Sequence, residues 1–242
     1  MKSKVPLKNR LIITCLSLIA FGFVTTCEKE ESNNFITDID GNKYSTVTIG
    51  SQVWLVENLK AIRYNDGTAI PLVTENNAWG ALSTPAYCWY DNDEGSHKNT
   101  YGALYNWYAV ETDKLCPDGW HVPSDLEWKQ MEMHLGMSQA EADDTGFRGT
   151  NEGGKLKETG TAHWKSPNEG ATNESGFTAL PGGSRVYNGV VFEDFGSGGN
   201  YWCHTEYDPD LAWRRYIYYG YTDICRDAQY KRYGFSVRCV KD

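Results

Sequence analysis

Three stretches of this chain carry side chains able to do chemistry. Asp91-Asn92-Asp93-Glu94-Gly95 groups oxygen donors of the kind a calcium ion takes. It lacks the third alternating oxygen, the turn glycine and the distal Glu of a helix–loop–helix calcium site, so it reads as a solvated turn and no metal is assigned. His121 stands beside Trp120 among turn, core and helix-cap residues, which is the setting of a structural histidine. The third stretch is Leu211-Ala212-Trp213-Arg214-Arg215-Tyr216-Ile217-Tyr218-Tyr219-Gly220-Tyr221, which alternates as a strand. A half-buried strand hides one of its two sets. Trp213, Arg215, Ile217, Tyr219 and Tyr221 make the better core face. That leaves Arg214, Tyr216 and Tyr218 outward, a cation with two flat rings able to stack on a sugar or grip a protein. A long loop laid over this face would instead bury both tyrosines.

Nothing else marks an enzyme. The chain has no Gly-x-Ser-x-Gly elbow, phosphate loop, dinucleotide fingerprint or His-Glu-x-x-His. Carboxylates are plentiful, but no pair stands out as a glycosidase couple. No Cys-x-x-Cys occurs and the five histidines are scattered, which argues against zinc. The expectation is a non-enzymatic protein with no catalytic residue and no cofactor. Its formal net charge of −9 also argues against nucleic acid or an anionic lipid surface as partner.

The elements that must position these residues start after an export signal. Lys2, Lys4, Lys8 and Arg10 precede an apolar run, Leu11 to Val24, too short to span a bilayer. Thr25-Thr26-Cys27 follows, which looks like a lipobox. Residues 1–26 are therefore expected to be removed, with Cys27 lipidated and inserted in the membrane. Residues 28–34 hold no apolar side chain and read as a tether, so 27–35 form the anchor and 36–242 a single domain. The acidic tract behind Cys27 is similar to the export signal of surface lipoproteins in the Bacteroidota, or is a plain spacer.

Within the domain, Asp40-Gly41 and Gly50-Ser51 mark turns of an N-terminal antiparallel meander that buries Val47, Ile49, Val53 and Leu55. Asn99-Thr100 begins a helix expected to run through Val110. Pro117-Asp118-Gly119 is a tight turn, and Pro123 ends a short strand. Ser124 with Glu127 forms a capping box, and Trp128, Met131 and Leu135 follow at helical spacing. Ser138 with Glu141 repeats it. Asn188-Gly189 signals a hairpin. Tyr201 to Thr205, Leu211 to Tyr221 and Tyr233 to Val240 read as strands, the last burying only Phe235, Val237 and Cys239. Aromatics make up 14% of the chain, which suits a loop-rich fold held by ring packing rather than a helical bundle. Strands, two main helices, long loops and more strands give an α+β fold with antiparallel sheets.

Five ordered motifs carry a family resemblance. They are Ile49-Gly50-Ser51-Gln52-Val53-Trp54 with Glu57-Asn58-Leu59; Tyr101-Gly102-Ala103-Leu104-Tyr105-Asn106-Trp107; Cys116 to Trp128; Asn173-Glu174-Ser175-Gly176-Phe177 with Leu180-Pro181-Gly182-Gly183; and Ser236-Val237-Arg238-Cys239-Val240. Together they resemble the Fibrobacter succinogenes major paralogous domain, over roughly residues 36–242. The resemblance implies a C-type lectin-like fold in which N- and C-terminal strands meet, on a secreted or surface-exposed bacterial protein. It also implies a Cys116–Cys239 disulfide. Cys203–Cys225 is expected as a second, between neighbouring C-terminal strands, with Cys88 free. Gly234-Phe235-Ser236-Val237-Arg238-Cys239 is loosely similar to the last strand of formylglycine-generating enzymes. Those hold copper on a close cysteine pair, whereas Cys225 and Cys239 here are well separated. The leading expectation is an outer-membrane, lipid-anchored adhesion module for an extracellular glycan or protein. The alternative is a structural envelope or fimbria-like subunit.

Overall fold

A computed structural model describes residues 35–242, so Cys27 and its signal lie outside the described residues. The first three strands are β1 (Phe35–Thr37), β2 (Lys43–Ile49) and β3 (Gln52–Leu55). They pair antiparallel in order, as the turn glycines require: Gly41 and Gly50 take φ of 83° and 63°. Ile49 and Leu55 are buried, while Val47 and Val53 are half-buried.

Next come α1 (Asn76–Gly80), β4 (Tyr87–Cys88), α2 (Glu94–Tyr101), β5 (Leu104–Tyr105) and α3 (Trp107–Val110). The single helix expected from Asn99 to Val110 is thus broken. Gly102 takes φ 75°, and a Cβ there would lie 2.7 Å from the Leu59 carbonyl. The chain turns extended through β5, then Asn106 restarts a helix by accepting from the Ala109 amide at 3.2 Å. The Asp91–Gly95 oxygens find a local use as well: Asp93 caps α2, accepting from the Ser96 amide at 3.1 Å.

The central stretch forms β6 (Trp120–His121) and α4 (Asp125–His134), and α5 (Gln139–Asp143) follows. Both helices open on complete capping boxes, Ser124 with Glu127 and Ser138 with Glu141. The remaining elements are β7 (Gly146–Arg148), α6 (Glu152–Leu156), β8 (Gly182–Arg185), β9 (Phe192–Phe195), β10 (Gly198–Glu206), β11 (Leu211–Tyr218), β12 (Ile224–Tyr230) and β13 (Val240–Lys241). One sheet runs β1-β2-β3-β13-β6, in which the last strand pairs with β3 of the N-terminal meander. The other runs β7-β12-β11-β10-β8-β9, and β4 pairs with β5. All pairings are antiparallel except β8 with β10, so the fold is α+β.

The expected strand from Tyr233 to Val240 is mostly a buried extended segment instead. It makes single bridges at Gly234, Phe235 and Ser236 to Arg185, Tyr105 and Tyr201 before β13 begins. Gly234 through Val240 are all buried, so both faces are internal rather than one. Arg238 is tolerated there because its guanidinium donates to Asn58 Oδ1 (2.7 Å) and to the carbonyls of Leu55, Phe177 and Thr178.

α4 packs on the second sheet through charge as well as rings. Asp125, Trp128 and Glu132 share its inward face. Arg215 donates to Glu132 (2.6 Å) and Asp125 (2.8 Å), Arg226 donates twice to Asp125 at 2.8 Å, and Arg148 donates to Glu132 at 2.5 Å. Burial alone raises the Asp125 carboxyl, but Arg226 and Arg215 outweigh it and hold the group down at about 2.

Cys116 and Cys239 are joined in a disulfide. Cys203 and Cys225 are not, and both are free and buried, as is Cys88. The reason is sheet geometry. β11 lies between β10 and β12, so the two cysteines are two strands apart. They also point oppositely: Cys203 packs with Ile217, whereas Cys225 pairs across from Tyr216 on the other face.

Candidate functional site

The outer face of the β10-β11-β12 sheet is built by strand alternation. Arg215 and Ile217 of β11 point inward and are fully buried. Arg214, Tyr216 and Tyr218 point the other way, opposite Asp227 and Cys225 of β12 and Trp202, Asn200 and Gly198 of β10. Tyr221 was expected on the core face but is 49% exposed. β11 ends at Tyr218, and the following turn reverses the parity.

The three expected site residues are therefore brought together, in unequal roles. Arg214 is a brace rather than a free outward cation. Its guanidinium donates to both Asp227 oxygens (2.7 and 3.1 Å) and to Asn200, and lies 5.1 Å from the ring centres of Tyr216 and Phe235. Tyr216 and Tyr218 are half-buried, with ring centres 5.9 Å apart. Phe147 of β7, 42% exposed, meets Tyr216 at 6.0 Å and Tyr221 at 4.8 Å. Four rings thus form a shelf around one ion pair. Burial, then the Asp194 carboxylate, raises the Tyr216 phenol above its ordinary value. A hydrogen bond with Tyr219 does the same for Tyr218. Both phenols therefore stay protonated at neutral pH, able to donate and accept. The shelf can hold a planar or ring-shaped ligand by stacking, with hydroxyls and the Asp227–Gln229 pair at hand for polar contacts.

Phe147 and Tyr221 escaped the sequence reading. Phe147 is one apolar residue beside Gly146, and β12 has no apolar alternation to reveal that it connects β7 to β11. Asp194 and Gly198 lie against Tyr216, and Phe235 lies against Arg214.

A family model, the Fibrobacter succinogenes major domain, matches residues 47–241. The chain belongs to this family. No curated protein and no solved structure matches it. The shared motifs fall on the frame and away from the shelf. Asn58 donates to Tyr101 O and Ser236 Oγ and accepts from Arg238, so one side chain joins three of the motifs. Trp54, Trp128 and Phe177 join the first of these to the other two motifs in one ring cluster, with centres 5.1 to 5.8 Å apart. His121 belongs to this frame too. Its nitrogens lie 2.6 Å from Asp242 Oδ1 and 2.8 Å from Glu127 Oε1. Burial lowers its basicity, but the two carboxylates outweigh that and raise it above its ordinary value. This is a brace between β6, the α4 cap and the end of β13. The motifs that carry the family resemblance thus fall on a scaffold rather than on the shelf. Cys239 is held by Cys116 while Cys225 sits in the other sheet, so these cysteines form no copper pair of the formylglycine-generating type.

Proposed function

We propose that this chain is a lipid-anchored bacterial surface module that binds an extracellular glycan or protein on the outer face of its six-stranded sheet, without catalysis. The observation that carries the reading is the shelf of Phe147, Tyr216, Tyr218 and Tyr221 around the Arg214–Asp227 pair. Phe147 and Tyr221 are exposed and Tyr216 and Tyr218 half-buried, so the four rings keep area for stacking while packed against one another. Meeting terminal strands and segregated helices also support a C-type lectin-like fold. Cys27 would carry the lipid and residues 28–34 would hold the domain off the outer membrane. Mass spectrometry of the mature N-terminus reads that anchor, and an unmodified Cys27 would remove it from the proposal.

The binding claim is tested with the purified protein on a glycan array and in a pull-down from extracellular material. Replacing Tyr216 and Tyr218 by Ala is expected to weaken retention about tenfold or more, the scale of losing 1–2 kcal/mol of stacking. The melting temperature should move little. Unfolding of the variant would place both rings in the core and end the claim. Retention of nothing but envelope neighbours by the wild type would favour the structural-subunit reading instead.

A further inference from the structure

A second cleft lies at the far end of the molecule's hairpin, distinct from the β11 shelf. The Asn188-Gly189 turn that joins β8 to β9 rests directly on α1. Two glycines permit the contact. A Cβ on Gly80 would come within 2.7 Å of the Asn188 carbonyl, and one on Gly189 within 2.2 Å of the Asn76 carbonyl. Buried Arg185 clamps the underside, donating to the Gly189 carbonyl and to Asn76 Oδ1. The resulting cleft, about 370 Å³, is lined by Asn77, Gly80, Ala81, Tyr187, Asn188 and Arg232. No carboxylate is among them.

Arg232 gives the cleft its chemistry. Its Nη1 donates to the Gly80 carbonyl at 2.9 Å, and its own carbonyl accepts from Trp79 Nε1 at 2.7 Å, so backbone and side chain are both tied to α1. That single side-chain bond leaves most of the guanidinium fork without a partner. Every other arginine among the described residues is taken up by acids or by several carbonyl and amide oxygens. In a chain of net charge −9, an unpaired, pre-positioned arginine in an acid-free cleft is a site for an anion. The walls add a ring face and amides. Tyr187 is 37% exposed and packs 4.9 Å from the ring of Tyr230, itself 43% exposed. Asn188 uses its Oδ1 to accept from the Val190 amide, which leaves its Nδ2 to donate.

We propose that this cleft binds a sugar bearing one carboxylate, as at the acidic end of a glycan. The guanidinium pairs with the carboxylate, Tyr187 stacks on the sugar ring, and Asn77 and Asn188 meet hydroxyls. One carboxylate fits and a run of them does not. Beyond Arg232 the surface continues into a cleft that contains Asp210, and the chain as a whole is acidic. The site stands apart from Tyr216 and Tyr218, so it holds or falls separately from the shelf.

The test is calorimetric titration of the whole protein with a glucuronic acid-terminated disaccharide, its neutral glucose-terminated counterpart and triglutamate. The acidic sugar is expected to bind at least about tenfold tighter than the other two, the scale of one charge-assisted contact. Arg232→Gln should erase that preference, Tyr187→Ala should weaken both sugars and leave triglutamate unaffected, and Tyr216→Ala/Tyr218→Ala should change nothing. Equal binding of acidic and neutral sugars, equal binding of triglutamate, no binding of the acidic sugar, or an unaltered Arg232→Gln protein would each overturn the proposal. Should Arg232→Gln lose its fold, Tyr187→Ala reads the same site.

Discussion

Glu132→Ala is expected to cost about 3–5 kcal/mol of stability, the effect of removing one partner from a buried ion network. Glu132 is fully buried on the inward face of α4 and accepts from Arg215 at 2.6 Å and from Arg148 at 2.5 Å. Burial alone would lower the Arg215 guanidinium; Glu132 beside it raises it above its ordinary value, so the cation is held by this acid first. Deleting the carboxylate leaves Arg148 with only the Ile224 carbonyl, and Arg215 sharing Asp125 with Arg226. Three buried guanidinium groups then face one buried acid. The melting temperature should fall by roughly 10 °C or more for a domain of this size. The denaturant slope should not change, because the defect lies in the folded state. A loss below about 1 kcal/mol would show that Arg148 and Arg215 find other acceptors and that the network is not what holds α4 to the sheet.

This network also marks where sequence reading stops. The capping boxes at Ser124 and Ser138, the turns at Gly41 and Gly50 and the inward face of β11 were legible because each depends on residues a few positions apart. Asp125, Glu132, Arg148 and Arg226 were not, and Arg215 was placed inward without its partners. Charged side chains read as surface unless their partners are known, and these partners are up to 101 residues apart. The same cause hid β12. Its sequence, Ile-Cys-Arg-Asp-Ala-Gln-Tyr, has no apolar period, because Arg226 fills a core position that a paired arginine can occupy. Without β12, the strand that carries Cys225 was missing, so nothing showed that β11 lies between the two cysteines. At the shelf, Tyr216 and Tyr218 were legible from alternation. Phe147 became visible only once β7 was placed beside β12, and Tyr221 only once β11 was seen to end at Tyr218.

Replacing Cys116 and Cys239 together by Ala is expected to cost about 3–5 kcal/mol through a different physical route. The bond spans 123 residues of sequence. Closing so large a loop removes conformations from the unfolded chain, and the gain grows with the logarithm of loop length. It also stands where backbone pairing is thinnest. β6 and β13 are two residues each and meet through Val240–His121 and Lys241–Trp120, just beyond the bonded cysteines. β13 is in turn the link between β6 and β3, so the sheet's order depends on a strand too short to hold itself. Removing the bond therefore frees the unfolded state and loosens this edge. The denaturant midpoint should fall while the slope rises, because an uncrosslinked chain exposes more surface on unfolding. Adding reductant to the wild type should reproduce both changes. That pairing of signs separates this variant from Glu132→Ala, whose midpoint falls at constant slope. An unchanged midpoint on loss of both cysteines would mean that the buried segment from Gly234 to Val240, with Arg238 locked onto Asn58, Leu55, Phe177 and Thr178, holds the sheet closed without the bond.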